Sequence, residues 1–192
     1  PSGMSRHPSA RLSRHAGHAP GELVHIGETK TAEPRILLIE FSPEHYQETT
    51  FASLAASRTH QPGDGTLWLN VYGLQDVAMM AEIGRRFQLH PLVMEDVLNT
   101  HQRPKIEDYG DYIFIVTHVF DYHQASRTLS EEQISMVLGR NVVLTFQERP
   151  AGRFQPLRER LKNGIGQGRR LGAGYLAYSL LAILHQAWGA RL

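Results

Sequence analysis

The sequence contains no cysteine. That absence removes disulfide staples, thiolate zinc sites and cysteine nucleophiles together, and it fits a reducing compartment. No apolar run reaches the roughly 18 residues that a membrane-crossing helix needs, so the chain is expected to be soluble as it stands. A charge excess of one sign is also lacking. Lys+Arg number 20 against 19 Asp+Glu, and a net charge of +1 gives no reason to expect nucleic acid or another polyanion as partner. No Gly-x-Ser-x-Gly elbow occurs and no nucleophile stands beside a recognisable base, so an enzyme is not expected. Arg6, Arg11 and Arg14 are followed by no apolar stretch, which argues against a secretory signal, and the residues before Met4 read as a cloning remnant.

What is present is an ordinary globular composition, 41% hydrophobic and 20% charged over 192 residues, enough for one domain with a sizeable core. Residues 1–34 are rich in Gly, Pro, Ser, His and Thr without a sustained apolar period, and they are expected to be a disordered or loosely ordered arm. The domain is expected over 35–192. Strand-like runs occur at 35–41 and 47–51, and Gly63-Asp64-Gly65 signals a turn before the alternating run 66–72, read as a half-buried strand. From Asp76, an N-cap residue, apolar side chains recur at helical spacing through Phe87. His90-Pro91 interrupts that pattern and opens a second short helix ending near Asn99.

Three β-rich runs follow, 112–121, 132–138 and 141–146, with Gly139-Arg140-Asn141 as a turn, and they predict an antiparallel meander. An Arg/Leu helix through Leu161 stops at Asn163-Gly164, and an apolar helix spans 176–188. The expected fold is α/β, α+β by some classifiers: a mixed, largely antiparallel sheet flanked by helices on its faces.

The segment His90–Lys105 is the most unusual stretch, because two adjacent carboxylates, Glu95 and Asp96, sit on a short helix before a polar, basic turn. Consecutive helical residues point about 100° apart. The two are therefore arranged to act singly, each meeting a second carboxylate from another element or another subunit. That geometry suits Mg2+, a hard ion that takes oxygen ligands and keeps several of its waters. It equally suits a solvated helix face, or pairing with Arg103 and Lys105.

Other constellations carry less. The eleven histidines include no paired metal-binding spacing, and His118 and His123 have no evident third ligand. Glycines 164, 166, 168, 172 and 174 lack the Lys-Ser/Thr of a phosphate loop and are expected to be a flexible connector. The basic residues Arg149, Arg153, Arg158, Arg160, Lys162, Arg169 and Arg170 read as a solvated face.

From about Trp68 to Tyr178 the chain resembles the cytoplasmic domain of the CorA magnesium transporter family. The residues that carry the resemblance are Trp68-Leu-Asn-Val, the run Leu89–Tyr109 with His-Pro-Leu-Val-Met-Glu-Asp-Val-Leu-Asn-Thr-His-Gln-Arg-Pro, the run Glu132–Pro150, and Tyr175-Leu-Ala-Tyr-Ser-Leu-Leu. The resemblance implies a pentamer on the cytoplasmic face of the cell membrane. Each subunit would continue into a long stalk helix and two C-terminal membrane helices, which these residues do not include. It implies transport of Mg2+, with Co2+ or Ni2+ as further ions. Carboxylates at Asp96 and Glu95 would bind regulatory Mg2+ between neighbouring cytoplasmic domains, as a sensor rather than as cargo. The sequence departs from the family pattern where Ala182 and Gln186 replace two carboxylates, so one partner for the sensor is missing. Two rival readings are a zinc transporter of the same superfamily and a stand-alone soluble metal-sensing or interaction module. The gene sequence beyond Leu192 separates the second of these from the transporter.

Overall fold

The computed structural model describes residues 22–30, 33–51 and 64–189, with the backbone alone at 187–189. The expectations for residues 1–21, the remnant before Met4 and Gly63 lie outside the described residues.

Strand β1 (Arg35–Phe41) has alternating residues buried on opposite faces, and it pairs antiparallel with both β2 (Tyr46–Phe51) and β3 (Thr66–Tyr72). A parallel pairing joins β3 to β7 (Val142–Gln147), and antiparallel pairings then join β7 to β6 (Thr128–Gly139), β6 to β5 (Tyr112–His123) and β5 to β4 (Lys105–Asp108). The result is a seven-stranded sheet in the order β2-β1-β3-β7-β6-β5-β4, with the expected meander at one end. This is the mixed, largely antiparallel sheet predicted from the sequence.

Helix α1 (Val77–Arg86) begins at Asp76, whose side chain accepts a 3.0 Å hydrogen bond from the Met79 N–H. Helix α2 (Pro91–Leu98) packs beside it. Gly84 makes that approach close, since a Cβ there would lie 2.8 Å from Met94 Cγ. The two helices bury Met80, Ile83, Val93, Val97 and Leu98 against Ile36, Leu69, Val71, Phe114, Leu144 and Phe146 on one face of the sheet. On the other face, α3 (Gln155–Lys162) and α4 (Gly168–Gly189) cover Ile39, Trp68, Ile134 and Val143 with Leu157, Leu161, Leu176 and Leu180. The core is thus two layers with the sheet between them.

Two expectations need correction, and one strand was not expected. The run 66–72 is a central strand covered on both sides rather than a half-buried one: Trp68, Leu69, Asn70 and Val71 are all buried, which is what a parallel central pairing requires. The glycine-rich connector enters α4 at Gly168, and the helix is interrupted by a kink at Gly172 (φ 70°). Strand β4 has no counterpart among the strands read from the sequence; it is four residues long, and its pairing with β5 holds it.

Burying Asn70 and Thr145 in the middle of the sheet requires that their polar atoms be paired. The Asn70 carboxamide oxygen accepts from the Thr145 hydroxyl (2.8 Å) and from Gln147 Nε2 (2.6 Å), while Asn70 Nδ2 donates to the Tyr72 hydroxyl (2.7 Å). Trp68 Nε1 donates to Thr145 Oγ1 at 2.9 Å, completing the set across the β3–β7 pair.

Candidate functional site

Val93, Met94, Val97 and Leu98 point α2 into the core, which turns Leu92, Glu95 and Asp96 outward; Leu92 is 54% exposed. The helix is fastened at both ends. At its start the His90 N–H donates to the Tyr112 hydroxyl (2.8 Å), and His90 Nδ1 accepts from the Leu92 N–H (3.2 Å). Tyr112 is itself stacked on Tyr109, with ring centroids 5.2 Å apart.

The C-terminal end is held from two directions. Gln133 of β6, buried, donates from Nε2 to the Asp96 carbonyl (3.2 Å) and accepts from the Gln102 N–H (3.0 Å). His118 of β5 bridges the Gln102 carbonyl (2.7 Å from Nε2) and the Glu131 carboxylate (2.6 Å from Nδ1). From the other side the described part of the N-terminal segment, 22–30, runs past the helix end. The Ile26 N–H donates to the Leu98 carbonyl, and the Thr100 N–H donates back to Ile26. Gly27 permits this contact, since a Cβ there would lie 2.0 Å from Thr100 Oγ1 and its φ is 140°. Lys30 closes the segment on the buried Glu148 (2.9 Å). Burial holds the His25 imidazole below the usual histidine range, with the Glu148 carboxylate acting in the opposite direction.

The two candidate carboxylates behave differently. Glu95 makes no ion pair or side-chain hydrogen bond among the described residues. Asp96 accepts from the Lys105 ammonium at 2.6 Å, which is the pairing weighed from the sequence; Arg103, the other residue considered, is exposed. Lys105 opens β4, where residues two apart share a face, so Glu107 stands beside it and accepts from the same ammonium at 2.9 Å. The charge also lies over the Phe114 ring, 5.7 Å from its centroid. Partial desolvation pulls the Lys105 ammonium down, but its hydrogen bonds to Asp96 and Glu107 outweigh this and hold it above the usual lysine range. Glu107 is thus a second carboxylate beside Asp96, supplied by another element, and its place in an unexpected strand kept it from view in the sequence.

Among the described residues no three His, Asp or Glu side chains converge as a metal cage within the chain. The donor set at Asp96 nevertheless fits a hard cation: carboxylate oxygens on an outward face, already gathered about one positive charge. A separate cavity of about 850 Å³ lies behind the turn, between Gln102, His118 and Phe120 on one side and Leu181 and Leu184 of α4 on the other. It does not include Glu95 or Asp96. Ala182 and Gln186, where the family resemblance expects carboxylates, are on α4 on the opposite side of the sheet from α2.

The basic face expected from Arg149 onward is in part a buried ion network. Arg153 makes a two-pronged contact with Asp121 (3.1 and 2.5 Å) and a further bond to Glu132 (2.8 Å), and Arg149 reaches Asp121 at 3.1 Å. Arg158 pairs with Glu48, and Arg169 donates to the carbonyls of Leu161 and Lys162 at the end of α3. Arg160, Lys162 and Arg170 are the exposed remainder.

Residues 63–189 match the family model described as CorA-like Mg2+ transporter protein. The cobalt/magnesium transport protein CorA of Thermotoga maritima is 36% identical over 174 residues, covering 91% of this chain and 49% of that protein. A putative metal ion transporter of Bacillus subtilis is 28% identical over 131 residues, covering 67% of this chain and 39% of its own length. The chain therefore spans about half or less of these relatives. In fold it is similar to the soluble domain of CorA from Methanocaldococcus jannaschii (TM-score 0.60 for the complete protein and 0.59 for the domain alone), with 13% identity to the domain, covering 81% of this chain and 57% of that one. The cytoplasmic domain of ZntB from Vibrio parahaemolyticus shares the fold as well (TM-score 0.57, 9% identity, 79% and 59% covered). No helix among the described residues is long and apolar enough to cross a membrane. With the family model matching over 63–189, the chain belongs to the CorA family of transport proteins and not to a family of enzymes.

Proposed function

We propose that this chain is the cytoplasmic, cation-sensing domain of a CorA-type divalent-cation transporter that assembles as a pentamer through parts outside these 192 residues. The observation that carries the reading is the placement of Glu95 and Asp96: both stand on the outward side of a short helix clamped at each end, so their positions are fixed by the sheet. Carboxylates carried on a held backbone and facing a neighbouring subunit place like charges across an interface. A divalent cation held by Asp96 and Glu95 of one domain and oxygen ligands of the next offsets that repulsion and favours the closed arrangement. When the cation is absent, Asp96 and Glu95 repel their counterparts and the population moves toward open states. This amounts to feedback on intracellular Mg2+. The family description and the cobalt/magnesium relative support Mg2+ as the ion.

The test is flux through the full-length protein in liposomes. Changing Asp96→Asn together with Glu95→Gln should raise the Mg2+ concentration that halves flux by about tenfold, equivalent to about 1.4 kcal/mol of differential binding. Inhibition by Mg2+ at an unchanged concentration overturns the reading.

A further inference from the structure

We infer that Lys105 is a tethered competitor at the carboxylate site, and that it sets how tightly Asp96 takes a divalent cation. The inference rests on the reading of Asp96 as a cation ligand. It begins from β4, where Lys105 and Glu107 share the face turned toward α2, and from the turn 99–104, which returns the chain alongside that helix. The Lys105 ammonium is thereby delivered between two carboxylates, 2.6 Å from Asp96 Oδ2 and 2.9 Å from Glu107 Oε1. It is not a loosely placed surface charge. Its side chain is 27% exposed, that of Asp96 is 18% exposed, and its charge lies over the Phe114 ring.

A cation approaching Asp96 meets an oxygen already engaged by a charge-assisted hydrogen bond, and a second carboxylate, Glu107, is engaged by the same ammonium. Entry of a divalent ion then requires the ammonium to swing away or to remain as a like charge beside it. Either course weakens binding. A monovalent ion has no charge advantage over the lysine, whereas a divalent ion has twice its charge, so the arrangement also biases the site against monovalent ions. Glu107, which already accepts from the same ammonium at 2.9 Å, gives the displaced ammonium a place to stay.

The experiment is calorimetric titration of MgCl2 into the full-length protein, comparing wild type, Lys105→Met, Asp96→Asn and the Lys105→Met/Asp96→Asn pair. Methionine keeps an unbranched stem over Phe114 and removes the charge. Lys105→Gln serves as a second variant, and thermal melts establish that each chain is folded. The expected result is Mg2+ binding about tenfold tighter in Lys105→Met and Lys105→Gln than in wild type, lost when Asp96→Asn is added. Equal affinity in wild type and the Lys105 variants, with binding that Asp96→Asn removes, overturns the role of Lys105 and leaves the cation-sensing reading standing. Tighter binding that survives Asp96→Asn overturns both. Absence of binding by wild type and Lys105 variants alike overturns the competition, because removing the competitor should have revealed it.

Discussion

Replacing Glu132 with alanine is expected to destabilise the domain by about 3–5 kcal/mol. Glu132 is 1% exposed and lies on β6 opposite Val119, on the sheet face that α3 and α4 cover. Its Oε2 accepts from Arg153 Nη2 at 2.8 Å, and its Oε1 accepts from the Arg149 backbone N–H at 3.3 Å. Desolvation opposes the charge on Arg153, but hydrogen bonds to Asp121 and Glu132 outweigh it and raise the pKa further. Removing one carboxylate leaves a mostly buried guanidinium with half of its counter-charge, and a backbone N–H without its acceptor. The measurement is the urea midpoint of unfolding, read by circular dichroism. A loss under about 1 kcal/mol would place the network among ordinary surface ion pairs and contradict its assignment as buried.

The second large effect is expected at Trp68. Its side chain is fully buried, meets Phe154 edge-on at 5.8 Å, and donates to Thr145 at the centre of the β3–β7 pair. Trp68→Ala opens a cavity that strands on both sides resist closing, at a cost of about 3–5 kcal/mol. Trp68→Phe fills most of that space and gives up the hydrogen bond, so it should cost about 1–2 kcal/mol. The pair of variants separates volume from polarity. Equal losses in the two would show that the indole N–H, and not the packing against Phe154, is the dominant contribution.

These two sites also mark where sequence reasoning stopped. Local signals found α1 and α2 because Asp76 and His90-Pro91 are read from immediate neighbours, and they found the meander because its strands follow one another. They did not find β4, whose Lys-Ile-Glu-Asp has no β-rich character of its own and depends on β5 for its pairing. They took β3 for half-buried because a strand covered on both faces hides its alternation. The arginines after Glu148 looked like a solvated face because their partners, Asp121 and Glu132, lie 17 or more residues away in sequence.

The candidate site divides in the same way. Glu95, Asp96 and the Lys105 pairing were legible, being close together in an unusual motif. The residues that hold α2 in place were not: Tyr112 and Gln133 reach it from 22 and 37 residues away, and Ile26 reaches Thr100, just past its end, from 74. Those contacts hold the backbone of α2 against the sheet and so fix where the two side chains leave it.

A divalent cation bound at Asp96 between assembled domains, as proposed, should hold α2 against local opening. Hydrogen exchange of the α2 amides from Leu92 to Leu98, measured in the full-length protein with and without Mg2+, is the measurement. Mg2+ is expected to slow exchange across α2 in the wild type and to fail to do so in Asp96→Asn. Equal slowing in both proteins, or none in the wild type, would contradict it.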